Sequence, residues 1–222
     1  MTEQYSRQED IVPRQRILEC KATVIGVGAI GRQVALQLTA IGIPWLQLID
    51  FDVVDVSNLA TQGYLQDDLN HLKVEATATF CRKLNSDLQV ETVNDRFKRS
   101  QETGNAIFCC VDSITARRHI WDIVKDAAGF YCDGRMSAEV MRIITAFDES
   151  SRVHYPQTLF SQQEAQAGPC TAKSTIYCAN IAAGLMLAQF TRYLRRMPMD
   201  SDIQLNLLTS EMYTAETTGN EV

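Results

Sequence analysis

The chain has 222 residues, with 21 basic and 27 acidic side chains, a formal net charge of −6, and 45% hydrophobic and 22% charged residues. These are ordinary globular values and exclude a mainly disordered chain, which is poorer in apolar residues; the length suits one domain with a sizeable core. The acidic balance argues against a sequence-independent grip on nucleic acid, which needs a basic face, but leaves room for a small anion held by backbone amides and one lysine.

In chain order, the start Met1-Thr2-Glu3-Gln4-Tyr5 is polar and does not read as a secretory signal. Residues 7–19 predict one or two short amphipathic helices interrupted at Pro13. Residues 21–26 (KATVIG) predict a buried strand ending in glycine. Ile30, Val34, Leu38 and Ile41 recur at helical spacing over 29–42, and Gly42 is placed to close that helix. A strand follows at 45–51, a loop-rich stretch at 52–72, a helix at 73–84 and a strand at 88–93. Residues 106–111 (AIFCCV) carry no polar side chain and predict a strand buried on both faces. A helix is predicted at 114–128, a strand at 130–133 and a longer strand at 138–147. Residues 148–169 are polar and irregular, with Pro156, Gly168 and Pro169. Ser174 or Thr175 then caps a helix to about Arg196, whose basic end suits the helix dipole. An edge strand within 198–209 and a frayed tail complete the chain.

This order predicts an α/β fold: a Rossmann-like mixed β-sheet flanked by helices, parallel in its N-terminal part and antiparallel in its C-terminal part. The whole chain, 1–222, reads as a single domain with a helical arm at 1–20, a mobile crossover loop at 148–173 and a frayed tail at 210–222. The apolar stretch 176–190 is interrupted by Asn180 and Gln189 and is too short for a bilayer, so no membrane is expected. The seven cysteines form no C-x-x-C pair; the expectation is no zinc site and a reducing, cytoplasmic setting. His71, His119 and His154 lack metal-ligand spacing and read as surface or helix residues.

Gly26-Val-Gly28-Ala29-Ile-Gly31 is a G-x-G-x-x-G between a predicted strand and a predicted helix. The first glycine permits a tight turn, the second lets phosphates approach the backbone, and the third lets the helix pack on the strand. Asp50 follows at the end of the second strand, where a carboxylate can accept hydrogen bonds from a ribose. At this point NAD and ATP both fit.

Further ordered motifs follow: Asp50-Phe51-Asp52-Val-Val-Asp55-Val-Ser57-Asn58-Leu59, then Gln62, then Lys73-Val-Glu-Ala, then Cys110-Val-Asp112-Ser113. With Tyr5-Ser6-Arg7-Gln8 at the start and Gly134-Arg135-Met136 beyond, the chain resembles the ThiF/MoeB/ubiquitin-activating-enzyme family. Those proteins adenylate the C-terminal glycine of a ubiquitin-like or sulfur-carrier protein. The resemblance implies a ThiF-like adenylation domain that uses ATP and Mg²⁺ on such a carrier. It implies a phosphate and ribose loop at Gly26, Gly28, Ala29 and Gly31, with Asp50 and Asp52 at the nucleotide and Asn58 and Lys73 on the phosphates. It further implies Asp112 at Mg²⁺, and a homodimer in which Arg7 reaches the neighbouring subunit's site. Joining a carboxylate to an α-phosphate brings anion to anion, so the reaction needs those cations.

Two positions depart from the family pattern. Ala29 stands where a glycine is frequent, a small change. Thr61 stands where members carry an arginine, and loss of one transition-state donor costs on the order of 100- to 1000-fold in rate. Arg32, Arg117 and Arg135 are the arginines considered as replacements, although the pair Arg117-Arg118 also reads as a solvated helix face. Cys170, in Ala167-Gly168-Pro169-Cys170, falls where relatives have a cysteine that forms a thioester or persulfide link with the carrier. A helix start nearby favours its thiolate. Cys178 reads as core, and Cys109 and Cys110 as small hydrophobes in the buried strand. Two other readings stand beside adenylation: a catalytically weak scaffold subunit that partners a second activating subunit, motivated by Thr61, and an NAD-dependent oxidoreductase, resting on the glycine loop and Asp50 alone.

Overall fold

The structure, a computed structural model, describes residues 3–160 and 175–215. A 3₁₀ turn (Glu3–Gln8) and a one-turn helix α1 (Arg14–Ile17) open the chain, with Pro13 at the N-cap of α1. Then come β1 (Lys21–Ile25), α2 (Ala29–Ala40), β2 (Trp45–Ile49), α3 (Val56–Gln62), a 3₁₀ turn (Gln66–Asp68), α4 (Lys73–Leu84), β3 (Gln89–Val93) and β4 (Ala106–Cys109). The rest is α5 (Ile114–Val124), β5 (Phe130–Ser137), β6 (Val140–Ala146), α6 (Glu149–Gln157), α7 (Ile176–Arg195), β7 (Asp202–Asn206) and β8 (Glu211–Thr214).

The strands form one mixed sheet in the order β3-β2-β1-β4-β5-β6-β7-β8. The first five run parallel and the last three join antiparallel, as expected. From β1 the chain winds outward through β2 to β3, then returns to the other side of β1 as β4. The carboxyl ends of β1 and β4 therefore flank a topological switch point, where open sheets of this kind bind ligands.

The apolar run of β4 is explained by its cover. Ala106 and Phe108 pack under α2, α4 and α7, while Ile107 and Cys109 pack under α5 and α6. Phe108, Phe130 and Phe190 stack on the first face with ring centroids 5.2–5.6 Å apart. Trp121, Tyr131 and Tyr155 do the same on the second, at 4.6–5.0 Å. Among the described residues no helix is long and apolar enough to cross a membrane.

The structure revises several boundaries. The stretch 52–72 holds α3, nucleated by a capping box in which the Asp55 carboxylate accepts the Ser57 N–H at 2.7 Å and Asn58 Oδ1 accepts the Asp55 N–H at 3.1 Å. Three polar cap residues in a row read as loop because capping residues and loop residues are the same types. The stretch 148–169 holds α6, capped by Asp148 and Ser151 in the same way, with Pro156 in its last turn. Residues 211–214, expected to fray, form β8, so β7 is an inner strand and β8 the edge. All four residues of β8 are exposed, so no alternating pattern marks it; its pairing with β7 makes it a strand. The expected strand at 130–133 runs on to Ser137 and turns tightly into β6 through Ala138, at φ 52°.

Gly42 closes α2 as expected, at φ 88°, and the N-terminal arm is pinned there. Arg14 donates to the Gly42 carbonyl at 2.9 Å and lies 4.1 Å over the Tyr5 ring; Gln8 donates to the Ala40 carbonyl at 3.2 Å; Asn85 donates to the Tyr5 hydroxyl at 3.2 Å.

The second half of the sheet is tied by Asp202 on β7. Its carboxylate accepts two hydrogen bonds from Arg142 of β6, at 2.9 and 2.6 Å, and contacts His154 Nε2 of α6 at 2.9 Å. Burial alone would push this carboxyl up, but the bonds from Arg142 and His154 outweigh it and hold the group below the ordinary value. A depressed carboxyl contributes stability that is present above about pH 4 and lost as the pH falls through its folded value. Asp202→Asn is therefore expected to cost about 1 kcal/mol at pH 7, because both partners are partly solvated. Thermal melts would show the gap to wild type closing in acid; a gap that persists in acid would contradict this.

Candidate functional site

Three glycines shape the crevice at the switch point, and each does so differently. Gly26 has φ 87°, and a Cβ there would lie 2.8 Å from the Cys110 carbonyl oxygen at the end of β4. A Cβ on Gly31 would lie 1.8 Å from the Gly26 carbonyl oxygen, so only glycine lets α2 approach β1 this closely. Among the described residues, a Cβ on Gly28 would meet nothing nearer than Gln62 Oε1, at 4.0 Å. Gly28 is the N-cap of α2 and Ala29 its first residue, so the open space lies where the first amides of the helix need partners.

Asp50 locks this loop to β2. Its Oδ2 accepts the Val27 N–H at 2.6 Å and its Oδ1 accepts the Asp52 N–H at 2.8 Å, and each oxygen keeps a further lone pair. Lys73 opens α4; its N–H donates to the Asp52 carbonyl at 3.0 Å and its ammonium reaches the Asp52 carboxylate at 2.9 Å. The Lys73 side chain is 8% exposed and that of Asp52 47%, so the pair presents a buried cation behind a solvated carboxylate. Tyr64 supports the loop from beneath, its hydroxyl donating to the Val27 carbonyl at 2.7 Å. Burial pushes that phenol well up, so it stays a protonated donor.

Across the crevice, Asp112 follows β4, and Ser113 caps α5 by accepting the Ala116 N–H at 3.4 Å. Asp112 is exposed, and its carboxylate makes no hydrogen bond to a described residue. Asn58 sits on α3, but its carbonyl oxygen is used in the capping box and its amide lies 3.3 Å from Ser57 Oγ. Thr61, one turn on, donates its hydroxyl to the Ser57 carbonyl at 2.8 Å.

The three arginines weighed as replacements at position 61 do not open onto the crevice. Arg117 is buried, not part of a solvated face; it pairs with Asp133 and donates to the Val111 and Gly134 carbonyls. Arg135 bonds Asp133 at 2.9 Å and Thr158, while Tyr155 donates to the same Asp133 oxygen at 2.8 Å. A fully buried carboxylate has drawn both guanidinium groups away, and together they brace the loop that carries Asp112. Arg32 is 1% exposed and faces Tyr64 and Thr77.

Arg7 is exposed on the opening 3₁₀ turn. The neighbouring Gln8 is bonded to Ala40 at the far end of α2, a 12-residue helix and so roughly 18 Å long. The fold therefore holds Arg7 away from its own chain's crevice. Cys170 lies outside the described residues. Cys178 is buried one turn into α7, and burial pushes the Cys132 thiol up to about 12, the behaviour of inert core thiols. Among the described residues no group of three His, Cys, Asp or Glu side chains converges on a metal position.

Sequence reasoning assigned no role to Gln62 or Tyr64. Among the described residues, Gln62 Oε1 is buried without a hydrogen-bond partner beside Gly28. Its position in the motif was visible, but the orphaned atom was not. A separate groove of ≈ 600 Å³ lies between α5 and α6, lined by Trp121, Asp122, Arg152 and Val153 among others. None of the crevice residues line it.

Gly28 and Gly31 can be told apart by stability. Gly31→Ala forces backbone against backbone and is expected to destabilise by about 3 kcal/mol or more. Gly28→Ala enters open space and should change stability by less than about 1 kcal/mol. Equal losses in thermal melts would contradict this geometry.

Comparison with known proteins agrees with the fold. The ThiF family model matches residues 5–218. The SAMP-activating enzyme E1 of Haloferax volcanii is 38% identical over 86 residues, 38% of this chain and 32% of that protein. The sulfur carrier protein ThiS adenylyltransferase of Escherichia coli is 29% identical over 127 residues, 52% of this chain and 51% of that protein. This chain thus spans about a third to a half of the length of such curated relatives. The solved structure of E. coli MccB with ATP superposes with a TM-score of 0.73 at 16% identity, covering 96% of this chain and 71% of that one, which is a likeness of fold. With the family model matched along almost its whole length, the chain belongs to the ThiF family.

Proposed function

We propose that this chain uses ATP to adenylate the C-terminal glycine carboxylate of a small ubiquitin-like or sulfur-carrier protein, releasing pyrophosphate. The observation that carries the reading is the open face at Gly28, bounded by Asp50, by the Lys73–Asp52 pair and by Asp112. The names of the relatives, an activating enzyme and a ThiS adenylyltransferase, support the same chemistry.

In this reading the phosphates lie against the first amides of α2, where the helix dipole favours an anion. The ribose hydroxyls donate to the free lone pairs of Asp50. Lys73 neutralises phosphate charge, and Asp52 holds its ammonium in place before the nucleotide arrives. The Asn58 amide adds a donor at the phosphates. A carboxylate oxygen of the carrier attacks the α-phosphorus, and the bond to pyrophosphate breaks. Asp112 suits Mg²⁺, which is commonly held by one or two carboxylates together with substrate phosphates and water; the ion supplies charge neutralisation when bound. The partner's Arg7 completes the cationic surround in a homodimer, which fits an arm that cannot reach its own crevice. Cys170 is the candidate for later capture of the carrier, in a cytoplasmic protein.

One observation favours a second reading. With Thr61 bonded into its own helix and Arg117 and Arg135 committed to Asp133, the crevice has few cations of its own, as a scaffold subunit partnering a second activating chain would.

ATP–pyrophosphate exchange with a glycine-ended carrier tests the proposal. Asp112→Ala is expected to lower exchange by about 100-fold or more. Arg7→Ala alone should fall comparably, and an equal mixture of the two variants should recover roughly a quarter of wild-type activity, since half the dimers are mixed and each mixed dimer has one intact site. Exchange that needs a second, longer family member would select the scaffold reading, and no recovery on mixing would remove Arg7 from the partner's site. Cys170→Ala should leave exchange intact and abolish any covalent carrier adduct; a persisting adduct would exclude Cys170.

A further inference from the structure

Arg32 is 1% exposed, yet among the described residues it forms no ion pair with a carboxylate. Its Nε donates to the Gly63 carbonyl at 3.2 Å and its Nη1 to Thr77 Oγ1 at 3.2 Å. Its guanidinium lies 4.1 Å from the Tyr64 ring centroid and 5.4 Å from that of Phe80. The contrast with Arg117, whose buried charge has Asp133, is direct.

Placement adds to the cost. Arg32 lies in the first turn of α2, its N–H bonded to the Gly28 carbonyl at 3.0 Å. A cation there adds to the positive pole of the helix instead of opposing it. An unpaired buried charge at the positive end of a helix is unfavourable until an anion sits before that end. The position at Gly28, open among the described residues, faces the same space. Arg32 also binds together the pieces that carry the site. Gly63 ends α3, Thr77 lies one turn after Lys73 on α4, and Tyr64 bonds both Thr77 and the Val27 carbonyl of the glycine loop.

We propose that Arg32 is a positioning residue for the phosphate end of the crevice: a buried cation, left without a carboxylate, that ties α3 and α4 to the glycine loop and biases the site toward a polyphosphate. This rests on the adenylation reading and deepens it. The ligand chemistry it selects is the triphosphate rather than the nucleoside.

The test is calorimetry of wild type, Arg32→Met and Arg32→Lys with Mg-ATP and, separately, with adenosine. Arg32→Met is expected to weaken Mg-ATP by about tenfold or more while adenosine changes by less than about twofold. Arg32→Lys, which keeps the charge but loses the stacked, forked guanidinium, should weaken Mg-ATP by less than Arg32→Met does and leave adenosine within about twofold of wild type. Equal weakening of both ligands by Arg32→Met would make Arg32 a packing residue and overturn the proposal. Should Arg32→Met fail to fold, Arg32→Gln carries the same comparison, since it keeps a donor without the charge. Wild type that binds neither ligand would defeat the adenylation reading, and this inference with it. Wild type that binds ATP with a Met variant that keeps its preference would defeat this inference alone.

Discussion

The closeness of α2 to β1 is the constraint on which the rest depends. A single methyl on Gly31 would lie 1.8 Å from the Gly26 carbonyl oxygen, so the helix rests directly on the strand end. That contact sets where the first turn of α2 points, and it leaves Gly28 at the mouth of the crevice with no described residue nearer than Gln62. Everything around the loop then serves to hold it. Asp50 takes the Val27 N–H from one side, and Tyr64 gives its hydroxyl to the Val27 carbonyl from another. Both main-chain polar groups of Val27 are satisfied by side chains, so the loop is fixed without a ligand. Preorganised donors of this kind cost no rearrangement when an anion arrives.

Charge in the crevice is distributed unevenly. Its carboxylates, Asp50, Asp52 and Asp112, stand at the rim or are partly solvated, while its cations, Lys73 and Arg32, are buried behind them. The remaining nearby arginines are spent on Asp133, whose burial demands them. That buried network braces Val111, next to Asp112, and so fixes the far wall as Asp50 fixes the near one. The arm bearing Arg7 is anchored at the opposite end of α2, away from the crevice of its own chain.

Much of the fold is legible in the sequence because its strands and helices follow simple rules. The run 106–109 has no polar side chain because β4 is covered on both faces, and the period of Ile30, Val34 and Leu38 is that of a helix lying on a sheet. What the sequence hides is structure made of polar caps. Asp55 with Asn58 and Asp148 with Ser151 start α3 and α6, yet the same residue types build loops. β8 is hidden for a different reason: its four exposed residues carry no pattern, and only β7 makes them a strand. At the site, the glycines, Asp50, Lys73 and Asp112 are brought to one crevice. Arg117 was legible as a residue but not as a partner of Asp133, since that pairing joins α5 to β5 through the interior. Tyr64, Gln62 and Arg32 gain meaning only from burial, which spacing along the chain does not reveal.

The measurement that tests the central claim most directly is calorimetric titration of the full chain with Mg-ATP, beside NAD and beside Asp112→Ala. Stoichiometric binding of ATP that is tighter than that of NAD and weakens without the Asp112 carboxylate is the predicted result. Tighter binding of NAD, or no binding of ATP, would contradict the account.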